Sequence, residues 1–350
     1  MIRKLMDLTC IDGISGNEQH VREFILNHVQ KEGLENRTDS IGNLIVSGKR
    51  TGDNPLRVML AAHMDEVGLM INSITEDGKL KFAAVGGIDS RILVGQRVRV
   101  GNDKIPGVIG YKSIHLQDKN ERESVVKIKN LYIDIGARDR EQAEGYVNPG
   151  DYAAFAAEPV LFGNNRLKAK ALDDRAGCAL LLELLKEVWP FEMHAGFTVQ
   201  EEVGLRGARL TANRIKPDIA VVLEGTTCAD LPGVKEHEKS TVIGKGPAIA
   251  FADRTSIADR ELMNHFIKIA EAEEMPYQWK QTVSGGNDAG RIQTSGQGVR
   301  IISVSVPCRY IHSPVSVLDV RDLKNTLILL KKALNCLPEA YPSLWGGNEE

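Results

Sequence analysis

The stretch HAGFTVQEEVGLRGARLTANRI, residues 194–215, decides the fold. It opens as an apolar strand, turns at an acidic pair and continues as a helix. Successive strand residues point to opposite faces, so Glu201 and Glu202 both turn inward only where the backbone bends at the strand end. The same rhythm extends in both directions. DDRAGCALLLELLKEV (173–188) reads as a helix, DIAVVLEG (218–225) as a strand and DRELMNHFIKIAEAEEM (259–275) as a helix. GVRIISVSVP (298–307) is a strand and VRDLKNTLILLKKALNCL (320–337) a closing amphipathic helix. Toward the N-terminus, helical spacing predicts a helix over 18–32, opened by Ser15 and Glu18 at capping-box spacing. NLIVSG and LRVMLAAH then read as strands, and the second is nearly all apolar, as a central strand should be. Alternating strands and helices predict an α/β fold, a mostly parallel central sheet flanked by helices.

Between Val67 and Phe162 the character changes. GLMINSI, KLKFAAVGG, QRVRVG, GVIGYKS, LYIDIGA and YAAFAAEP are short β-like pieces separated by Gly, Asn and Asp. DREQAEGY is the one helical pattern among them. The expected organisation is a discontinuous larger domain, 1–66 and 163–350, with a barrel-like β-rich domain inserted at 67–162. The acidic GGNEE tail is expected to fray.

Composition narrows the class. Of 350 residues, 42% are hydrophobic and 26% charged, the balance of an ordinary globular protein. The net charge is −3, from 44 basic and 47 acidic side chains, and no Lys/Arg-rich run points to nucleic acid. Apolar runs are strand-sized, so no membrane helix is expected. The opening MIRKLMDLTCIDGISG lacks the apolar centre of a signal peptide, which predicts a cytoplasmic chain. Five scattered cysteines form no CxxC pair, so neither a disulfide framework nor a thiolate metal site is expected.

Chemistry-bearing residues collect where strands end. RVMLAAHMDE delivers His63 and Asp65, LKAKALDDRAG carries Asp173 and Asp174, IAVVLEG reaches Glu224 and VSVPCRYIHS reaches His312. In parallel sheets ligands bind beyond the carboxyl ends of strands. Singly, each has a plainer reading. Glu201 and Glu202 fit a solvated strand terminus, Asp173 and Asp174 fit helix capping, and His63 and His312 fit ordinary structural histidines. Together, with Asp65 placed to orient a histidine, they are the inventory of a two-metal hydrolytic site. His and carboxylate donors suit zinc, cobalt or manganese.

AAHMDEVG, KALDDRAG, VQEEVGLRGA, LEGTTCAD and the RYIHSP turn, in order and joined by GGNDAGRIQTSGQGVR, resemble the tetrahedral aminopeptidases. That family includes glutamyl aminopeptidases and proteins once labelled endoglucanases. The resemblance runs from ISGNE to Ser313. It implies a metal-dependent aminopeptidase with two divalent ions. In it His63 and Glu224 hold one ion, Glu202 and His312 hold the other, and Asp173 bridges both. It implies Glu201 as general base toward a water between the ions, Asp65 as the support of His63, and a cis peptide between Asp173 and Asp174. Many relatives carry Asp where this chain has Glu224, so Asp230 is the alternative ligand. The resemblance also implies that the inserted domain mediates dimers that build a hollow dodecamer. His115 in that insert is either a surface residue or a visitor to an active site. The pocket for the first residue is placed between Ser284 and Gly298.

Three other readings use the same residues. A metal-dependent deacylase or carboxypeptidase would keep the ions and demand an acyl group or a free carboxylate instead of a free amine. A glycosidase needs carboxyls about 5–9.5 Å apart across a bond, a geometry that sequence neighbours serve poorly. Only 5% of residues are aromatic, too few for sugar platforms. A decayed, non-catalytic assembly protein is opposed by the intact ligand set and by Glu201.

Overall fold

The Arg57–His63 strand, apolar from Val58 to Ala62, lies where its composition requires, between Glu192–Thr198 and Ile219–Thr227 and parallel to both. Arg300–Arg309 continues the parallel run beside Ile219–Thr227. The period of two sorts the side chains onto two faces. Val58, Leu60 and Ala62 enter one core with Leu180, Leu184 and Leu330. Met59 and Ala61 enter the other with Ala208 and Ala212. Helices Leu172–Leu184 and Val320–Asn335 thus cover one face, and Arg206–Ile215 the other. Fully burying one such Leu contributes about 1.5–3 kcal/mol.

The computed structural model describes residues 1–340; the GGNEE tail lies outside them. The α/β class is as expected, but among the described strands parallel pairing is limited to the four central strands and two short pairs, Ala248–Ala250 with Gln278–Trp279 and Lys49–Arg50 with Val188–Trp189, beside a single parallel bridge between Ile14 and Glu66. Antiparallel strands extend both edges. Asn36–Thr38 and Leu44–Ser47 add to Glu192–Thr198, while Ser316–Asp319, Arg166–Ala169 and Val160–Phe162 add beyond Arg300–Arg309.

Six strands close into a barrel: Gly68–Ile74, Leu80–Val85, Arg97–Val100, Ile105–Gly110, Tyr132–Asp134 and Tyr152–Phe155. Leu69, Phe82, Val98, Ile109, Ile133 and Phe155 give it a separate core. Val160–Phe162, which the sequence pattern groups with the insert, pairs instead with Arg166–Ala169 in the large sheet. At the barrel's root Lys170, buried, meets Glu66 at 2.5 Å, and Arg175 donates to the Met64 carbonyl at 2.9 Å. Arg99 of the barrel pairs with Asp12 at 3.0 Å.

The helix expected over 18–32 spans Gln19–Lys31, but without a side-chain cap. Ser15 and Glu18 are drawn into hydrogen bonds with Asp65 and Gln200 instead. Helix Ile2–Thr9 is not evident in the sequence because two turns carry little periodicity; it buries Leu5 and Leu8. No helix among the described residues is long and apolar enough to cross a membrane.

Candidate metal centre and active site

His63 is the last residue of its strand. Its Nδ1 lies 3.0 Å from the main-chain oxygen of Asp65, which orients the ring and turns Nε2 outward. Nε2 is 3.4 Å from Asp173 Oδ1 and 3.7 Å from Glu224 Oε2. His312 sits in the turn after Arg300–Arg309 with φ +56°. Its Nδ1 is 3.1 Å from the Gly87 carbonyl, and its Nε2 is 3.3 Å from Glu202 Oε2 and 3.8 Å from Asp173 Oδ2. Gly87 belongs to the segment leading through the barrel, so the insert helps to aim a site histidine. The sequence carried no signal of this, because the contact is a main-chain carbonyl.

The aspartate pair divides its labour. Asp174 Oδ1 accepts the Gly177 N–H at 2.9 Å and Oδ2 accepts the His63 N–H at 3.2 Å. Asp174 therefore caps the helix, as one reading of the pair expected, and Asp173 is left facing the histidines. The peptide between them is cis. Glu224 lies inside its strand, which runs on to Thr227, rather than at its end. Gly225 explains how Glu224 and Asp173 approach. A Cβ there would stand 2.8 Å from Asp173 Cα.

Two groups of ligand atoms result. His63, Asp173 and Glu224 offer atoms within 4.8 Å of one another, and so do Asp173, Glu202 and His312. Asp173 belongs to both. His63, Glu201 and Glu202 form a third, overlapping group. Asp230, the alternative ligand, is elsewhere and holds Arg309 through both oxygens at 2.8 and 2.7 Å. His115 lies exposed in the 3-10 turn Ile114–Leu116 of the insert.

Asp65 lies beside His63 and also serves the acidic pair. It touches His63 through its main-chain oxygen, while its carboxylate accepts the N–H groups of Glu201 at 2.9 Å and Glu202 at 3.1 Å and the Ser15 hydroxyl at 2.6 Å. With both oxygens so engaged, the carboxylate stands 3.5 Å from His63 Nδ1. Asp288, in the glycine-rich stretch, is a further buried carboxylate that no sequence pattern marks. It accepts the Thr198 hydroxyl at 2.5 Å.

The electrostatics show one sign of charge in excess. Burial pushes Glu201 and Glu224 well above the ordinary carboxylate range, and nearby carboxylates add to this against the pull of His63. Burial also lifts Glu202 to about 7 and Asp288 to about 6. Burial pulls His63 down, but Asp173, Asp65, Glu201 and Glu224 override it and hold the imidazole well above its usual value. Asp173 Oδ1 and Glu224 Oε1 are buried without a hydrogen-bond partner. Unpartnered oxygens among crowded carboxylates and outward-facing imidazoles fit divalent cations. A cavity of about 290 Å³ opens above His63, Asp173 and Glu224, walled further by Thr226, Ser240, Lys280 and Thr282. The larger hollow, about 1010 Å³, lies at the opposite end of the strands near Lys216 and Arg300 and is lined by no histidine.

Known proteins resemble the chain in sequence and in fold. The sequence model of the M42 glutamyl aminopeptidase family matches residues 42–329. A putative aminopeptidase of Acetivibrio thermocellus is 39% identical over 95% of this chain and 98% of its own. An aminopeptidase structure from the archaeon Desulfurococcus kamchatkensis superposes with a TM-score of 0.93 at 36% identity, covering 100% of this chain and 98% of that one. The TET1 peptidase of Pyrococcus horikoshii, described as assembling into a tetrahedron or a large octahedral shell, gives 0.83 at 37% identity over 95% and 98%. Matched along most of its length in sequence and along all of it in fold, the chain belongs to the M42 glutamyl aminopeptidase family.

Proposed function

We propose that this aminopeptidase is a two-metal enzyme that releases single residues from the free amino ends of peptides. The observation that carries the reading is Asp173, shared by two triads of ligand atoms. His63 and Glu224 complete one triad, and Glu202 and His312 the other. Bound there, two divalent ions would polarise the scissile carbonyl and acidify the attacking water. Nitrogen and oxygen donors suit zinc, cobalt or manganese.

The chain's own groups do the rest. Glu201, raised in proton affinity by burial, takes the proton of the attacking water. It then returns that proton to the departing amine, so no covalent acyl-enzyme forms. His63 is held to one orientation by the Asp65 carbonyl, and His312 by that of Gly87. The peptide end enters the cavity above Asp173 and Glu224. We also propose that the barrel mediates dimers that build a dodecamer. Support comes from a relative that forms closed shells and from the exposed Ile114, Leu116 and Val125 of the insert.

A matched peptide pair tests the reading, one with a free amino end and one N-acetylated, given to chelated enzyme refilled with zinc or cobalt. The expected result is metal-dependent release of the first residue from the free peptide alone. Cleavage of only the acetylated peptide would replace the reading with a deacylase.

A further inference from the structure

The side chain read as the general base has His63 for a charged neighbour but no hydrogen-bond donor. No hydrogen bond reaches the Glu201 carboxylate among the described residues; only its main chain is fixed. That main chain has left the sheet. The strand ends at Thr198, Gln200 has φ +56°, and the following turn leads to helix Arg206–Ile215. The N–H groups from Val199 to Glu202 therefore have no ladder partner, and the segment is buried at Val199 and Glu201.

All four are received by side chains. Asn43 Oδ1 accepts from Val199 at 3.0 Å, and Glu18 Oε1 from Gln200 at 3.1 Å. The two oxygens of Asp65 take Glu201 and Glu202. These acceptors come from three separate pieces of chain, and all are buried. Each is itself anchored. Glu18 Oε1 also accepts the Gly16 N–H at 2.7 Å, and Ser15 Oγ donates to Asp65. Asn43 Nδ2 donates to Asp39 at 2.8 Å and to the Gly207 carbonyl at 3.1 Å. Gly207 makes room, since a Cβ there would meet Asn43 Oδ1 at 2.3 Å. Helix capping or loop closure would need one or two of these bonds. Four successive N–H groups, ending on the two glutamates, have a narrower purpose.

We infer that Glu18 and Asn43, with Ser15 acting through Asp65, are positioning residues that fix the main chain of Val199–Glu202 and so aim Glu201. None of the three belongs to the groups of ligand atoms or lines the cavity above them. The inference rests on the reading of Glu201 as proton acceptor. Three of the four bonds end on carboxylates and are charge-assisted, about twice as strong as neutral ones. Without Glu18 the left-handed Gln200 loses its restraint and the Glu201 carboxylate drifts. A misplacement of about 1 Å costs up to roughly a hundredfold in rate.

The test compares Glu18→Ala, Glu18→Gln and wild type in the full chain loaded with zinc. It measures kcat, KM, bound metal and amide hydrogen exchange over 199–204. Glu18→Ala should lower kcat about ten- to a hundredfold, leave KM and metal content unchanged and speed exchange in that segment. Glu18→Gln keeps an accepting oxygen and should recover most of kcat. Wild-type kcat in Glu18→Ala would overturn the inference, as would a loss explained by missing metal. A Glu18→Gln no better than Ala would also overturn it. If Glu18→Ala does not fold, Ser15→Ala decides, with a severalfold loss of kcat at unchanged KM expected and no loss contradicting. Should wild type fail on free peptides, or Glu201→Gln keep full rate, the functional reading falls; hydrogen exchange still reports on the restraint.

Discussion

In the proposed mechanism Glu201 is the residue on which turnover depends most, because it alone is assigned the proton transfers. Glu201→Gln keeps its shape and removes its basicity. It should lower kcat by about 10²–10⁴ while bound metal stays at the wild-type level, as steady-state kinetics beside metal analysis would show. Far from the site, Glu183 makes a pH prediction. Burial would raise its carboxyl, but Lys186 and Lys4, each at 2.7 Å, bring it down to about 2 from 4.5. A depressed carboxylate stabilises the fold above its unfolded pKa and loses that contribution as pH falls through the folded one. Its part is therefore complete above pH 4.5 and fades toward 2. Discounted for solvent, Glu183→Gln should cost about 1 kcal/mol at pH 7 and nothing near pH 2, read by urea unfolding at both. At this scale the sequence pointed to His63, Asp173, Glu202, Glu224 and His312, which the structure brings close together, since each lies at or near the exit of an apolar run. It hid the hydrogen bonds that Asp65 and Glu18 accept. Their partners are main-chain N–H groups up to 182 positions away, and such contacts leave no spacing pattern.

Elements bring these residues together only where packing permits. Gly225 lets the Ile219–Thr227 strand pass against the start of helix Leu172–Leu184. Gly225→Ala should push Asp173 away, and metal analysis should find fewer bound ions with the fold intact by circular dichroism. At the barrel's root, removing Lys170 leaves Glu66 charged and buried beside Arg175. Glu66 keeps Arg175 at 3.4 Å, so the cost stays below the roughly 3–5 kcal/mol of a fully broken buried pair, and Lys170→Ala should lower Tm by several degrees in calorimetry. The long central strands were legible because an apolar run that is buried almost end to end needs cover on both faces, which a central strand has. Of the antiparallel edge strands Leu44–Ser47 was legible in NLIVSG; the others were not, because strands of only a few residues carry hardly one period.

The whole molecule joins a sheet and a barrel with separate cores, and the site lies where the segment leading through the barrel, at Gly87, meets the sheet's strand ends. Ions that bind only the folded chain stabilise it by mass action, about 2.7 kcal/mol at a hundredfold excess over Kd. Chelation should therefore lower Tm, and refilling should restore it. If the barrel carries the dimer contact, replacing Ile114 and Leu116 with Asp should shift the mass seen by light scattering toward single chains. Everything proposed for turnover depends on Asp173 joining two metal sites, and a count of ions per chain bears on that without any substrate. Wild type should bind two, His63→Ala and His312→Ala one each, and Asp173→Ala none tightly. A single ion in wild type, or two retained without Asp173, would contradict it.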